Sequence, residues 1–259
     1  MNLSADAIHD LEEEMGDAPI AGLARDFPMR SVIESHSHRR GQLMFCSSGV
    51  MVVHAAGMSW VASPTRGVWI PPQVPHTFAP STRIELRNLL MLPTLESGLP
   101  DRTCFVRVNP LLRELIVKVV TPESGFRSPE HRERTLRLII DELEPLEYAP
   151  LALPEAKDPR VRRICEFIKE CPADNRTLHD WARSACASAR TLERLFIKET
   201  GLSFANWRRQ ARLIHSTVRM SMGDSVVSAA IDAGYNSPSA FIDMFRRSVG
   251  ETPGRYCAG

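Results

Sequence analysis

The chain has 259 residues, of which 43% are hydrophobic and 24% charged, and a formal net charge of +1. That length accommodates two ordinary domains, and no apolar run approaches the roughly 20 residues a membrane-spanning helix needs, so no membrane partner is expected. The near-neutral total conceals an asymmetry: from Pro159 onward 16 Lys+Arg face 10 Asp+Glu, while the residues before it carry 16 against 21. A basic block behind an acidic one assigns any polyanionic partner to the C-terminal half.

The first 30 residues read as a loosely ordered arm. They carry Asp6, Asp10, Glu12, Glu13 and Glu14 and lack the apolar core of a secretion signal. A cytoplasmic location is expected. It fits the six cysteines, none in a CxxC pair, which are expected to stay reduced.

From about Ser31 to Pro93, short apolar stretches (Gln42–Cys46, Val50–His54, Val68–Ile70 and Ile84–Leu92) are separated by Gly41, Gly49, Gly57, Gly67 and Pro71-Pro72. Short strands at this spacing predict a small antiparallel β-barrel or jelly roll. Two amphipathic helices follow. Leu111, Leu112, Leu115, Ile116 and Val119 share one face, and Leu136, Ile139, Ile140, Leu143 and Leu146 share another. Such helices either cap a barrel or form a homodimer seam, and the pattern leaves both open. Residues 149–158, with two prolines and no period, read as a linker between a sensing or dimerisation domain at 31–148 and a helical domain at 159–259.

The helical domain repeats itself. Leu178, Ala182, Ser188, Leu192, Phe196 and Gly201 correspond to Val226, Ala230, Ser237, Phe241, Phe245 and Gly250, at an offset of 48 residues for the first helix and 49 for the second. Each copy predicts a short helix, a tight turn and a second helix. The second helix starts at a capping serine (Ser188; Ser237 followed by Pro238) and stops at a glycine. This is a helix-turn-helix layout, whose second helix presents its first turn to base edges in the major groove. Between the copies Phe204, Trp207, Ala211, Ile214 and Val218 mark a longer helix. At about 27 Å it is a spacer able to set two reading helices about one DNA turn apart.

Residues from about 160 to 256 resemble the C-terminal domain of the AraC/XylS transcription regulators. The likeness rests on Arg212-Leu213, Val226, Ala230, Gly234-Tyr235, Ser237, Phe241, Phe245-Arg246-Arg247 and Gly250-Glu-Thr-Pro253. The resemblance implies sequence-specific binding of double-stranded DNA by two units, an N-terminal effector domain, and RNA polymerase as a further partner. It places the base-facing positions of the first reading helix on Arg190, Glu193 and Arg194, near Ser188 and Thr191. In the second they fall on Pro238, Ser239, Ile242 and Asp243. Arginine can pair with guanine and glutamate can accept from cytosine, whereas Asp243 faces an anionic duplex, so the first unit is expected to carry more specificity. Arg246, Arg247, Arg208, Arg209, Arg176 and Lys198 are candidates for phosphate contacts.

In the barrel, His36-Ser-His38, Gln42 and a later His76 after a proline-rich turn resemble the two cupin motifs. This fits a cupin-like sensor domain in an α+β chain. Three imidazoles suit a divalent transition metal, but Gln42 stands where metal-binding cupins carry Glu. The favoured reading is an effector pocket without metal, built from His36, His38, Gln42 and His76 with Phe45, Trp60 and Trp69 as apolar walls. Two rivals are a cupin metalloenzyme with a helical appendage and a constitutive DNA binder whose barrel only dimerises. No catalytic residue is identified, and the chain reads as a non-enzyme.

Overall fold

The computed structural model describes residues 2–3, 13, 15–93, 99–121, 125–146, 151–250 and 252–258. Most of the acidic N-terminal stretch and residues 149–150 lie outside them. The strands are β1 (Asn2–Leu3), β2 (Ile20–Phe27), β3 (Val32–Ile33), β4 (Gly41–Met44), β5 (Cys46–Ser48), β6 (Met51–Ala55) and β7 (Met58–Ala62). They continue with β8 (Arg66–Ile70), β9 (His76–Pro80), β10 (Ile84–Met91), β11 (Cys104–Arg107), β12 (Glu144–Leu146) and β13 (Ala152–Pro154). The described helices are α1 (Pro110–Val120), α2 (Pro129–Asp141), α3 (Pro159–Glu170), α4 (Leu178–Ser184), α5 (Ala189–Thr200), α6 (Phe204–Ser221), α7 (Val226–Asp232), α8 (Pro238–Val249) and α9 (Pro253–Ala258).

Two compact units emerge: residues 1–56 with 60–149, and residues 57–59 with 150–259. The first is β-rich. Its larger sheet runs β12-β11-β8-β4-β10-β2, with β5 also paired to β10. The smaller sheet runs through β7, β6 and β9. The eight residues of β10 hold the larger sheet together, pairing Ile84–Met91 against Phe27–Ile20 on one edge and parts of β4 and β5 on the other. Residues 20–27 are therefore a sheet strand rather than part of an arm. Their hydrogen-bonding partner lies some 60 residues away in the chain, beyond the reach of a local pattern.

One face of the larger sheet carries Ile20, Leu43, Phe45, Trp69, Leu89, Met91, Cys104 and Val106 into a core with Leu112, Ile116 and Val120 of α1 and Leu136 and Ile139 of α2. Both helices start alike, at a side-chain cap (Asn109, Ser128) followed by proline. They cap the sheet with a stripe offset from the expected one: Leu111 stays 47% exposed while Leu112 is fully buried. Leu143 and Leu146 fall beyond the end of α2, the latter in β12.

In the second unit, residues 151–158 are not a free linker. β13 is a strand whose Leu153 joins the core of α3, α4, α5 and α6, and the Glu155 N–H donates to the Gly57 carbonyl at 3.0 Å. Pro154, at the end of β13, is compatible with this role, since an edge strand tolerates a missing N–H.

Leu112→Ala is expected to cost about 2–5 kcal/mol of stability, and Leu111→Ala less than about 0.5 kcal/mol. Urea denaturation followed by circular dichroism compares the two; equal losses would contradict the assigned face.

Candidate nucleic-acid interface and histidine cluster

The helical unit contains two helix-turn-helix pairs, α4–α5 and α7–α8. In the first, Thr177 and Asp180 form a reciprocal capping box at the start of α4. The turn passes through Cys186, whose φ of 47° is left-handed. The Ser188 hydroxyl then accepts the Thr191 N–H at 3.1 Å and lies 2.9 Å from the Thr191 hydroxyl. Those two residues therefore fix where α5 begins. Leu192, Phe196 and Thr200 bury the inner face of α5, which turns Arg190 and Arg194 to solvent and leaves Glu193 half-buried. Arg190, Thr191, Glu193, Arg194, Ile197 and Lys198 line one open concavity. Ile197, 52% exposed, was not singled out from sequence. Its signal was the stagger Arg190, Arg194, Ile197, which puts all three on one helical face.

The second pair repeats the plan. Ser237 caps α8 by accepting the Ala240 N–H at 3.4 Å, Phe241, Phe245 and Val249 face inward, and α8 ends at Gly250 with φ 90°. Ala229 and Ala230 are buried where α7 meets its neighbours, while Ala182 of the first copy is only half-buried, since the larger Trp181 takes the inner position of α4. The outward residues of α8 are Ser239, Asp243, Arg246 and Arg247, with Pro238 and Ile242 half-buried. Arg246 approaches Asp243 at 3.9 Å, an exposed i,i+3 pair of little energetic weight.

Two of the phosphate candidates are drawn into internal contacts. Arg176 bonds Asp174 at 3.0 Å and lies over the Trp181 ring at 3.8 Å, and Arg208 donates to the Arg176 carbonyl at 2.8 Å. Lys198, Arg246 and Arg247 remain exposed.

In the β-rich unit, a pair of backbone hydrogen bonds joins His36 and His76, at 3.0 and 2.9 Å. The three imidazoles come together, with ring centroids 4.3 Å (His36–His76), 5.1 Å (His38–His76) and 5.9 Å (His36–His38) apart. Each ring is oriented by a backbone carbonyl two residues away. Nδ1 lies 2.9 Å from Glu34 O in His36, 2.7 Å from Arg40 O in His38 and 2.9 Å from Val74 O in His76. A carbonyl only accepts, so Nδ1 is the donor in each of these contacts. One ligating atom from each of the three histidines falls within 4.8 Å of the others, and Gln42 Oε1 lies 2.9 Å from Nε2 of both His38 and His76. Burial holds His76 neutral, lowering its pKa to about 3, and lowers that of His36 in the same direction.

The expected apolar walls do not assemble there. Leu43 pairs with Trp69, and Gln42 with Ile70. Residues directly opposite in a ladder share a face, and neighbours along a strand alternate. Trp69 thus faces away from Gln42, and Phe45 joins it in the core under the helices. Trp60 packs edge-on against Phe105 at 5.2 Å and donates its indole N–H to Ala55 O. Phe105 lies on the face opposite Cys104 and Val106, so of the three aromatics only Trp60 stands on the inward side.

Residues 17–149 match a family model described as an AraC-like ligand binding domain, and residues 181–258 one described as a helix-turn-helix domain. The chain is 35% identical over 223 residues to the HTH-type transcriptional regulator NimR of Escherichia coli (strain K12), covering 86% of this chain and 81% of that protein. It is 31% identical over 108 residues to the arabinose operon regulatory protein of the same organism, covering 39% of this chain and 36% of that one. Among solved structures, the DNA-binding domain of AdpA in complex with a target DNA is similar at 27% identity and a TM-score of 0.36, over 38% of this chain and 90% of that one. ToxT from Vibrio cholerae is similar at 11% identity and a TM-score of 0.39, over 93% and 98%.

Ser188→Ala is expected to destabilise the helical unit by about 1 kcal/mol through loss of the cap, and the exposed Ser239→Ala by less than about 0.5 kcal/mol. Thermal melts of the two variants give the comparison.

Proposed function

The chain belongs to the AraC family of transcription regulators, and from that premise we propose how its residues divide the work. It is a DNA-binding regulator with an N-terminal ligand-binding domain. Helix α5 is the principal reader. The contrast between the two outward faces carries this assignment: α5 presents Arg190, Glu193 and Arg194, whereas α8 presents Ser239 and Asp243 beside Pro238 and Ile242. Two arginines supply bidentate donors for guanine, and the half-buried Glu193 accepts from cytosine. On α8, Ile242 touches a thymine methyl, and Arg246 and Arg247 hold phosphates without reading sequence. The protein acts in the cytoplasm as a homodimer beside RNA polymerase, with Leu111 and Leu138 the large apolar residues of α1 and α2 left exposed for a seam. It binds rather than catalyses.

The effector site is the cluster of His36, His38, Gln42 and His76, with Trp60 the one of the three expected wall aromatics on the inward side, packed against Phe105. Three imidazoles oriented by backbone carbonyls converge beside the Gln42 amide oxygen, a set that suits a polar occupant. A divalent transition metal is the other candidate: the three imidazoles and the Gln42 oxygen would hold it, with the backbone carbonyls fixing the rings as outer-shell partners do in metal sites. Such an ion would supply a positive centre for an organic ligand. An organic effector would use the same polar groups without it.

Fluorescence anisotropy on a selected operator tests the reading helix. Arg194→Ala is expected to lose roughly 1–3 kcal/mol on the target and relax preference at one base pair. Arg246→Ala should weaken all sequences alike and reduce the salt slope by about one. Unchanged affinity and preference in Arg194→Ala would remove it from the reader set. For the barrel, zinc is expected to raise the melting temperature of the wild type and not of His38→Ala. No shift in the wild type would leave the organic effector as occupant.

A further inference from the structure

We propose that Arg212 is the positioning residue that locks the two helix-turn-helix units at one mutual spacing on DNA. The inference rests on the reading above, in which both units meet a single duplex. Arg212 lies at the middle of the spacer helix α6. Its Nε donates to Pro172 O at 2.8 Å, and its Nη2 donates to Asp174 O at 3.0 Å and to Asn175 Oδ1 at 2.8 Å. One guanidinium thus holds three acceptors of the loop leading from α3 into α4. Arg208, one helical turn earlier, donates to the carbonyl of Arg176 in the same loop. Through Asp174 and the Trp181 ring, Arg176 passes that anchorage on to α4 itself.

The other side of the guanidinium meets the second unit. The turn from α7 toward α8 contains Gly234 at φ +83°, where an added Cβ would stand 2.8 Å from Ala173 Cα and 3.0 Å from Arg212 Nη2. The Tyr235 ring lies 6.0 Å from the guanidinium carbon. The entry loop of the first unit, the spacer helix and the turn of the second unit therefore converge on one side chain. Each unit has its own separate attachment to α6. Phe204, Trp207 and Ala211 share the core of α3–α5, and Arg219 bonds Asp232 of α7 at 3.0 Å. Loss of the fork loosens the junction while leaving these anchors in place.

The consequence for binding is one of preorganisation. A second reader held rigidly at the right distance binds as an intramolecular step, at high effective concentration. A loosened one must be ordered at the moment of binding. Lysine cannot replace the fork, because a single ammonium does not span acceptors arranged for a planar guanidinium.

The test uses the full chain as wild type, Arg212→Gln and Arg212→Lys, after thermal melts of each. Three duplexes are compared: one selected by the wild type from a randomised pool, the same duplex cut back to the segment protected by the first unit, and the full duplex with one base pair inserted between the two protected segments. Wild type should favour the full duplex over the short one, and over the inserted one, by roughly tenfold or more. Both variants should bind the short duplex within about twofold of wild type, while the two preferences fall to about two- to threefold. Variants that keep the wild-type preferences would overturn the clamp, as would variants losing affinity equally on all three duplexes, which would make Arg212 a support of the first unit alone. If Arg212→Gln does not fold, Arg212→Lys carries the same comparison. A wild type that binds all three duplexes equally would sink the two-unit reading and the clamp with it.

Discussion

A helix of eighteen residues is stiff over its whole length, and in this chain everything said about DNA depends on that stiffness. α6 buries Phe204, Trp207 and Ala211 in the core of the first helix-turn-helix unit, and Leu213 and Met220 continue the buried side of the helix. Neither unit is large enough to enclose a core alone. Each completes itself against the same rod, so the rod fixes their separation as a by-product of folding. The apolar stripes of α5 and α8 then leave each reading helix a single outward face. The residues available to DNA follow from what had to be buried.

The β-rich unit obeys a different constraint, the direction of hydrogen bonds. Three backbone carbonyls in irregular segments each accept from an imidazole Nδ1, and the fold thereby orients the rings. The result is a small, largely buried set of imidazoles around the Gln42 oxygen, with His76 held neutral by desolvation. In low dielectric such a set is costly to leave unmatched, and its composition selects among partners before shape is considered.

The legibility of the two halves differed for a physical reason. Helix ends are decided locally. Asp158, Ser188, Ser203 and Ser237 each accept a backbone N–H two or three residues ahead, and Gly201 and Gly250 adopt the left-handed stop, so the sequence pattern located both helix-turn-helix units. Strand pairing is decided at a distance. Nothing near Ile20–Phe27 announces β10, and His76–Pro80 contains a proline that argues against a strand unless it lies where no N–H is needed. The histidines and Gln42 were recognisable by spacing. That Phe45 and Trp69 turn away from them required the register of β4 against β8, which slips the face with every residue. Arg212 was visible as part of a family signature, but its role depended on a loop 37 to 40 residues before it, which no periodicity links to α6.

The strand Ala152–Pro154 bears on how this protein can be taken apart. Trp207, fully buried in α6, donates its indole N–H to Pro154 O at 2.9 Å, and Leu153 and Ala156 sit in the same cluster. An excision at the proline-rich segment, the natural place for a cut on composition alone, would strip one wall from the core that steadies the spacer helix and leave a buried indole donor without its acceptor. The portable DNA-binding module is therefore longer than its helices. Anyone transplanting it onto another sensor must carry the strand along, and residues 57–59 of the same compact unit, whose Gly57 carbonyl accepts the Glu155 N–H, would be missed.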